Sequence, residues 1–337
     1  MLDPRGQFLR AAAKVPMRLI GLAVVLAVGL ALAPLATEAQ QAAKPFRIGM
    51  LGATPIPPAL FEAFKQGLGQ FGYTEGRNLV VDERHGEGLL SEHAAELARL
   101  SVDVILARGP AAVAAAKAVT RTIPVVAVDL ESDPVAAGFV RGLAQPGGNI
   151  TGVFLDLPEL SGKQLQLLKE TVPRFSRVAV LGDPVLNAPQ FRATEVAARA
   201  LAIQLQSVEV RAQKDFNDAL ETAKKGQARA VLLLSSPLVF NSRARIAALA
   251  VEKRIAAVSM FVEFAEAGGL MAYGPSLRES FRRCGAYAGK ILQGAKPGEL
   301  PIERPERFNL VINLKTAKAL GLAIPPSVLG RADQVIE

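Results

Sequence analysis

Residues 102–128, VDVILARGPAAVAAAKAVTRTIPVVAV, decide the fold. The apolar run Val102–Ala107 ends in the small turn Arg108-Gly109, and Pro110 opens an alanine-rich helix reaching about Thr120. A second apolar run, Val125–Val128, follows Pro124. Proline suits the first helical turn, where its missing N–H costs nothing. Both runs are short and mostly apolar on both faces, as in a covered parallel strand. Strand, helix and strand in this order imply a right-handed crossover and an α/β sandwich. Residues 228–260, ARAVLLLSSPLVFNSRARIAALAVEKRIAAVSM, repeat the same order, which points to two lobes of like topology.

The pattern extends outward from these units. Phe46–Leu51, Leu79–Asp82 and Ile150–Val153 are expected strands of the first set; Val178–Leu181, Leu205–Val210, Ala230–Leu234 and Ala257–Phe261 form the second. Phe61, Phe64, Leu68 and Phe71 mark the core face of a helix from Pro58 to Phe71. Asp133-Pro134 has the form of an N-cap and first-turn proline, predicting a helix to about Ala144. Further helices are expected at 160–172, 190–201, 215–225 and 241–253. After the second set come a strand at Leu270–Tyr273, a helix at Leu277–Gln293, a strand at Phe308–Asn313 and a short helix at Lys315–Leu320. These late elements are expected to cross back between lobes, joining them by several segments. The expected division is 46–154 with 270–300 for lobe 1, and 155–269 with 301–337 for lobe 2.

Ahead of this lies an N-terminal segment of different character. Arg5, Arg10, Lys14 and Arg18 precede the uncharged run Leu19–Leu35, and Thr37-Glu38-Ala39 places small residues before Gln40. Residues 1–39 therefore have the form of a secretory signal peptide cleaved after Ala39, which predicts a periplasmic product. The alternative is a retained membrane anchor. The net charge of +8 is modest, and no basic stripe of the kind that nucleic acid requires is visible. A single cysteine excludes a disulfide framework. That residue, Cys284, falls among Phe281, Tyr287, Ala288 and Ile291 at helical spacing, where a core thiol is expected. His85, Glu87 and His93 fall in a glycine-bearing turn and the start of a helix, where a solvated surface is expected; no metal and no cofactor are predicted.

The chain contains no G-x-S-x-G, Walker A or H-E-x-x-H motif, and no G-x-G-x-x-G follows an expected strand. What it offers instead is a set of small, polar turns at expected strand carboxyl ends, where open α/β sheets bind ligands. In the first lobe these supply Thr54, Arg108, Gly109, Asp129, Ser132 and Asp133 as candidate ligand-binding residues. In the second they supply Asp183, Asn187, Ser235, Ser236 and Glu263, with Tyr273 beyond them. Helix N-termini and hydroxyls suit a carboxylate, Asp or Glu could take an ammonium, and Arg108 suits a bidentate carboxylate contact. Arg108 could equally pair with Asp129 or Asp133, and Asp133 could serve only as a cap.

GYTEGRNLVVDER (72–84), TIPVVAVDLESDPVAAGFVRGLAQPGGNITGV (122–153), EFAEAGGLMAYGPS (263–276) and FNLVINLKTAKALGLAIPPSVLGRADQVIE (308–337) resemble the bacterial ABC-transporter substrate-binding family related to tryptophan- and tyrosine-type solute-binding proteins. The resemblance spans essentially the whole chain beyond residue 39. It implies a type I periplasmic-binding fold, with two Rossmann-like lobes, a multi-strand hinge and a ligand in the cleft. It also implies that a monomer, with no catalytic activity, delivers a small solute to an inner-membrane permease. The expected solute is an amino acid or a related organic acid bearing a carboxylate. A ligand-sensing subunit for a receptor and a secreted α/β enzyme are the alternative functions. At the third strand end, where the family often carries a run like Thr-Gly-Gly-Thr-Pro-Ala, this chain has Ala107-Arg108-Gly109-Pro110-Ala111.

Overall fold

The computed structural model describes residues 44–86, 88–155, 157–173 and 176–337. The expected signal peptide, residues 1–39, lies outside the described residues, as does Glu87. Strands β1 (Phe46–Gly52), β2 (Leu79–His85), β3 (Val104–Arg108), β4 (Val125–Asp129) and β5 (Ile150–Phe154) form a parallel sheet of order β2-β1-β3-β4-β5. A second sheet contains β6 (Arg177–Gly182), β7 (Gln204–Glu209), β8 (Ala230–Leu233), β9 (Ala256–Ser259), β10 (Met271–Pro275), β11 (Phe308–Asn313) and β12 (Gln334–Ile336). Its order is β12-β11-β10-β9-β8-β6-β7, and among the described residues only the β10–β11 pair is antiparallel. The run β7-β6-β8-β9-β10 repeats the order β2-β1-β3-β4-β5, so the echo between residues 102–128 and 228–260 reflects a shared topology.

The central strands β3, β4, β8 and β9 are buried on both faces apart from the half-buried Arg108 at the end of β3, which explains their unbroken apolar runs. The covering helices are α1 (Pro58–Gly69), α2 (Leu90–Arg99), α3 (Pro110–Val119), α4 (Leu157–Thr171), α5 (Ala188–Ala200), α6 (Phe216–Lys225), α7 (Pro237–Glu252), α8 (Val262–Glu266) and α9 (Leu277–Leu292). Two further short helices, α10 (Leu314–Ala319) and α11 (Pro326–Leu329), complete the C-terminal part. Cys284 on α9 is fully buried, with Sγ 3.4 Å from the Ala127 carbonyl oxygen; burial pushes its thiol pKa upward.

Two expectations need correction. Residues 134–144 do not form an α-helix. Asp133 does cap, with Oδ1 accepting the Val135 and Ala136 N–H groups at 2.8 and 3.0 Å. The turn then stops at Gly138, whose φ of +69° takes the backbone out of the helical region, and the Phe139 N–H returns to the Pro134 carbonyl. The strand at 271–275, assigned above to lobe 1, pairs between β9 and β11 in the second sheet. The chain crosses one element later: Ser276 caps α9, and α9 packs on α1, β3, β4 and β5. It crosses again near Glu303, whose N–H and C=O bond to Gly152 and Phe154 on the edge strand β5, before β11 rejoins the second sheet. With the β5–α4 connection, the two sheets are joined by several segments, which restrains the direction of any closure.

Candidate functional site

In both sheets the strands that lead into α1, α3, α7 and α8 present their carboxyl ends to a common crevice. A cavity of about 90 Å³ lies there. Ala53, Thr54, Arg108, Gly109 and Glu131 line it from the first lobe, Pro237, Phe240, Asn241 and Phe261 from the second, and Leu277 and Phe281 from α9. The Phe240 and Phe261 rings meet edge to face, with centroids 5.1 Å apart at 75°. The lobes touch directly at this level. Ser235 Oγ donates to Glu131 Oε1 at 2.8 Å, and Asn241 Nδ2 donates to Thr54 Oγ1 at 3.3 Å.

Arg108 ends β3, and its guanidinium folds back over Gly52. A β-carbon at Gly52 would lie 2.4 Å from Arg108 Nη2, so only glycine leaves that space free. Nη2 donates to the Thr54 carbonyl and lies 3.5 Å from Glu83 Oε1, and the same Glu83 oxygen accepts the Ile56 N–H at 2.6 Å. Arg108 and Glu83 thus brace the loop after β1. The internal partner of Arg108 is Glu83, not Asp129 or Asp133. Burial lowers the Arg108 pKa, partly opposed by Glu83, and its Nε is buried without a partner. Gly109 has a φ of +81°, and its N–H reaches the Val128 carbonyl at 2.8 Å, which aims the N-terminus of α3 at the crevice.

At the end of β4, Asp129 is fully buried. Its Oδ1 accepts the Glu131 and Ser132 N–H groups at 3.0 and 3.1 Å, while Oδ2 has no partner. Burial raises its pKa to about 6. Burial and the neighbouring Asp129 charge raise that of Glu131 to about 8.

The other candidate residues have local partners. Asp183 Oδ1 caps Val185 and Leu186, and Ser236 Oγ caps α7 by accepting the Val239 N–H. Asn187 accepts from the Asp183 N–H and donates to the Ser235 carbonyl at 2.7 Å; Gln190 also donates to that carbonyl and accepts the Ser235 N–H. These bonds fix the turn from which the Ser235 hydroxyl reaches Glu131. Glu263 lies on α8, its pKa raised mainly by burial, and Tyr273 stacks on Phe308 with centroids 5.8 Å apart. Neither borders the cavity. The residues missed by sequence reasoning are Glu131 and the apolar wall of Phe240, Phe261 and Phe281. Glu131 stands two positions beyond β4, and Phe240 lies in the first turn of α7. The carboxyl-end rule singles out both positions once the strand ends are known.

The chain is 23% identical over 268 residues to a tyrosine-binding protein of Clostridioides difficile, covering 77% of this chain and 76% of that protein. Among solved structures, a conserved domain protein of Vibrio cholerae superposes with a TM-score of 0.79 at 25% identity, covering 87% of this chain and 100% of the other. A protein from Streptococcus pneumoniae in complex with L-Trp gives 0.79 at 22% identity over the same shares. A ligand-free, open substrate binding protein with adhesive properties from Clostridium difficile gives 0.63 at 24% identity, over 86% and 99%. The family described as ABC transporter substrate binding protein matches residues 58–336 of this sequence. With the type I fold in place and the match running from α1 to β12, the chain belongs to the ABC transporter substrate binding protein family.

Proposed function

We propose that this protein captures a small solute bearing a carboxylate, an amino acid or a close relative, and delivers it from the periplasm to a membrane permease. The observation that carries the proposal is the crevice itself. An apolar, phenylalanine-walled cavity sits at the carboxyl ends of both sheets, and each lobe contributes side chains to it. Solute held there touches both lobes only when they are closed. That difference in contact shifts the population toward the closed form, with no bond made or broken. The N-terminus of α3 and the Arg108 guanidinium in the cavity wall suit the carboxylate, and the phenylalanine rings suit an apolar side group. The tyrosine and L-Trp named for two similar proteins support an amino acid as the class.

Mass spectrometry of solute co-purified with the protein is the direct test. A single amino-acid-like species, rebinding with a thermal shift worth about 2.7 kcal/mol at 100 times its Kd, is the expected result. Recovery of a chemically altered solute would overturn the proposal. Arg108→Ala is expected to weaken a carboxylate solute by about 1.5–3 kcal/mol in calorimetry, the range for a hydrogen bond to a charged group. Glu83→Gln, one contact removed from the cavity, is expected to lose less. Equal losses would assign Arg108 to loop bracing alone.

A further inference from the structure

The charges around the cavity do not balance, and the imbalance narrows the solute. The cation bordering the cavity is Arg108, and Glu83 already stands 3.5 Å from it. Beyond that pair stand Glu131 and, behind it, Asp129. The groups facing the two carboxyls from the other packed elements are neutral: the Ser235 hydroxyl, the Pro237, Phe240, Asn241 and Phe261 side chains, and Leu277 and Phe281 of α9. The first residues of α3 are Pro110, Ala111 and Ala112, which add no charge.

Two carboxyls side by side, Asp129 buried and Glu131 half-buried, cannot both ionise cheaply. Asp129 Oδ1 is satisfied by main-chain N–H groups, the buried Oδ2 has no partner in hydrogen-bond geometry, and the Ser132 side chain and the Glu131 carboxyl lie beside Asp129. Glu131 receives a single hydroxyl, from Ser235. Its Oε2 leans over the cavity side of Gly109, 3.9 Å from where a β-carbon on that residue would lie. A proton on the pair supplies the missing donor. A protonated amine arriving in the cavity would supply the same charge and more donors.

We infer that loading is a cation exchange, in which the solute presents a protonated amine to Glu131 and the proton that the Asp129–Glu131 pair holds in the closed, ligand-free form leaves to solvent. This rests on the capture proposal above and narrows it, since an organic acid without an amine would add another anion beside the pair. The upward pKa displacement of both groups agrees with a proton resident on the pair at neutral pH.

The test uses ligand-free protein and matched triplets of probes, such as L-phenylalanine, 2-phenylethylamine and 3-phenylpropanoate, with the equivalent sets built on tyrosine and leucine. Calorimetry near pH 7 in buffers of different ionisation enthalpy counts protons released by the wild-type protein. The expected result is that amine-bearing members bind, the deaminated acids bind at least about 30-fold more weakly, and loading releases up to about one proton. Glu131→Gln, checked for folding by its melting curve, is expected to abolish proton release and most of the preference for amines. Binding of a deaminated acid as tight as that of its amino acid, or loading with no proton released, would overturn the inference. So would failure of every amine-bearing probe to bind. A co-purified solute that lacks an amine would also overturn it while leaving capture itself intact.

Discussion

Gly285→Val is expected to lower the melting temperature by about 6 °C or more and to weaken solute binding with it, through a loss of roughly 3 kcal/mol. Helices α1 and α9 meet backbone to backbone. A β-carbon at Gly285 would lie 2.0 Å from the Phe64 carbonyl oxygen and 3.1 Å from Gly67 Cα, and a β-carbon at Gly67 would lie 2.0 Å from the Arg282 carbonyl oxygen. The obstructing atoms belong to helical backbone, so no rotamer change can relieve the clash, and the helices must part. Parting opens gaps around Phe64, Leu68 and Phe281, which are all packed in the same core. Phe281 and Leu277 also wall the cavity, so a shift of α9 reaches the site directly. Gly285→Ala should give a smaller fall in the same direction. Thermal melts of the ligand-free variants check the stability change, and a valine variant melting within about 1 °C of wild type would contradict the close approach.

The strands were legible because each central one is buried on both faces and so carries no polar alternation. What stayed hidden depends on distant partners. Asp133-Pro134 has every local feature of a helix start, and the helix fails for reasons placed later, at Gly138. The sheet to which β10 belongs is set by β9 and β11, the latter more than thirty residues away, which no local pattern encodes. The site was half legible for a related reason. Thr54, Arg108 and Gly109 stand at the cavity because strand carboxyl ends converge there. Asp183, Asn187 and Ser236 share their chemistry with ligand-binding groups, but they spend it on main-chain N–H and C=O groups of their own and neighbouring turns. Phe240 sits on a helix whose apolar residues otherwise look like core, and only the facing lobe turns it into a wall.

Raising the pH from 5 to 8.5 is expected to open the ligand-free protein, and the sign follows from the Asp129–Glu131 pair. In the closed form both carboxyls titrate above their ordinary values of 3.8 and 4.5, at about 6 and about 8, chiefly because burial disfavours their charged forms, and Glu131 is the member held against the other lobe. Between the ordinary and raised values the closed form holds more protons than any form in which the pair is wet. Its advantage is therefore complete at low pH, shrinks as pH rises through about 4.5, and stops shrinking above about 8. Opening relieves the pair without unfolding a lobe, since the Ser235–Glu131 bond is a contact between lobes. The pH dependence should consequently appear in the open-to-closed ratio before it appears in global stability. Each unit of pKa displacement is worth about 1.4 kcal/mol, so even one unit that survives relaxation changes that ratio about tenfold. Small-angle scattering should record a radius of gyration that grows with pH for the wild type and grows distinctly less for Glu131→Gln, in which only Asp129 still titrates. A wild-type radius that shrinks with pH would reverse the sign and remove the pair from control of closure. A bound amine should suppress the trend by supplying at high pH the positive charge that the proton supplies at low pH.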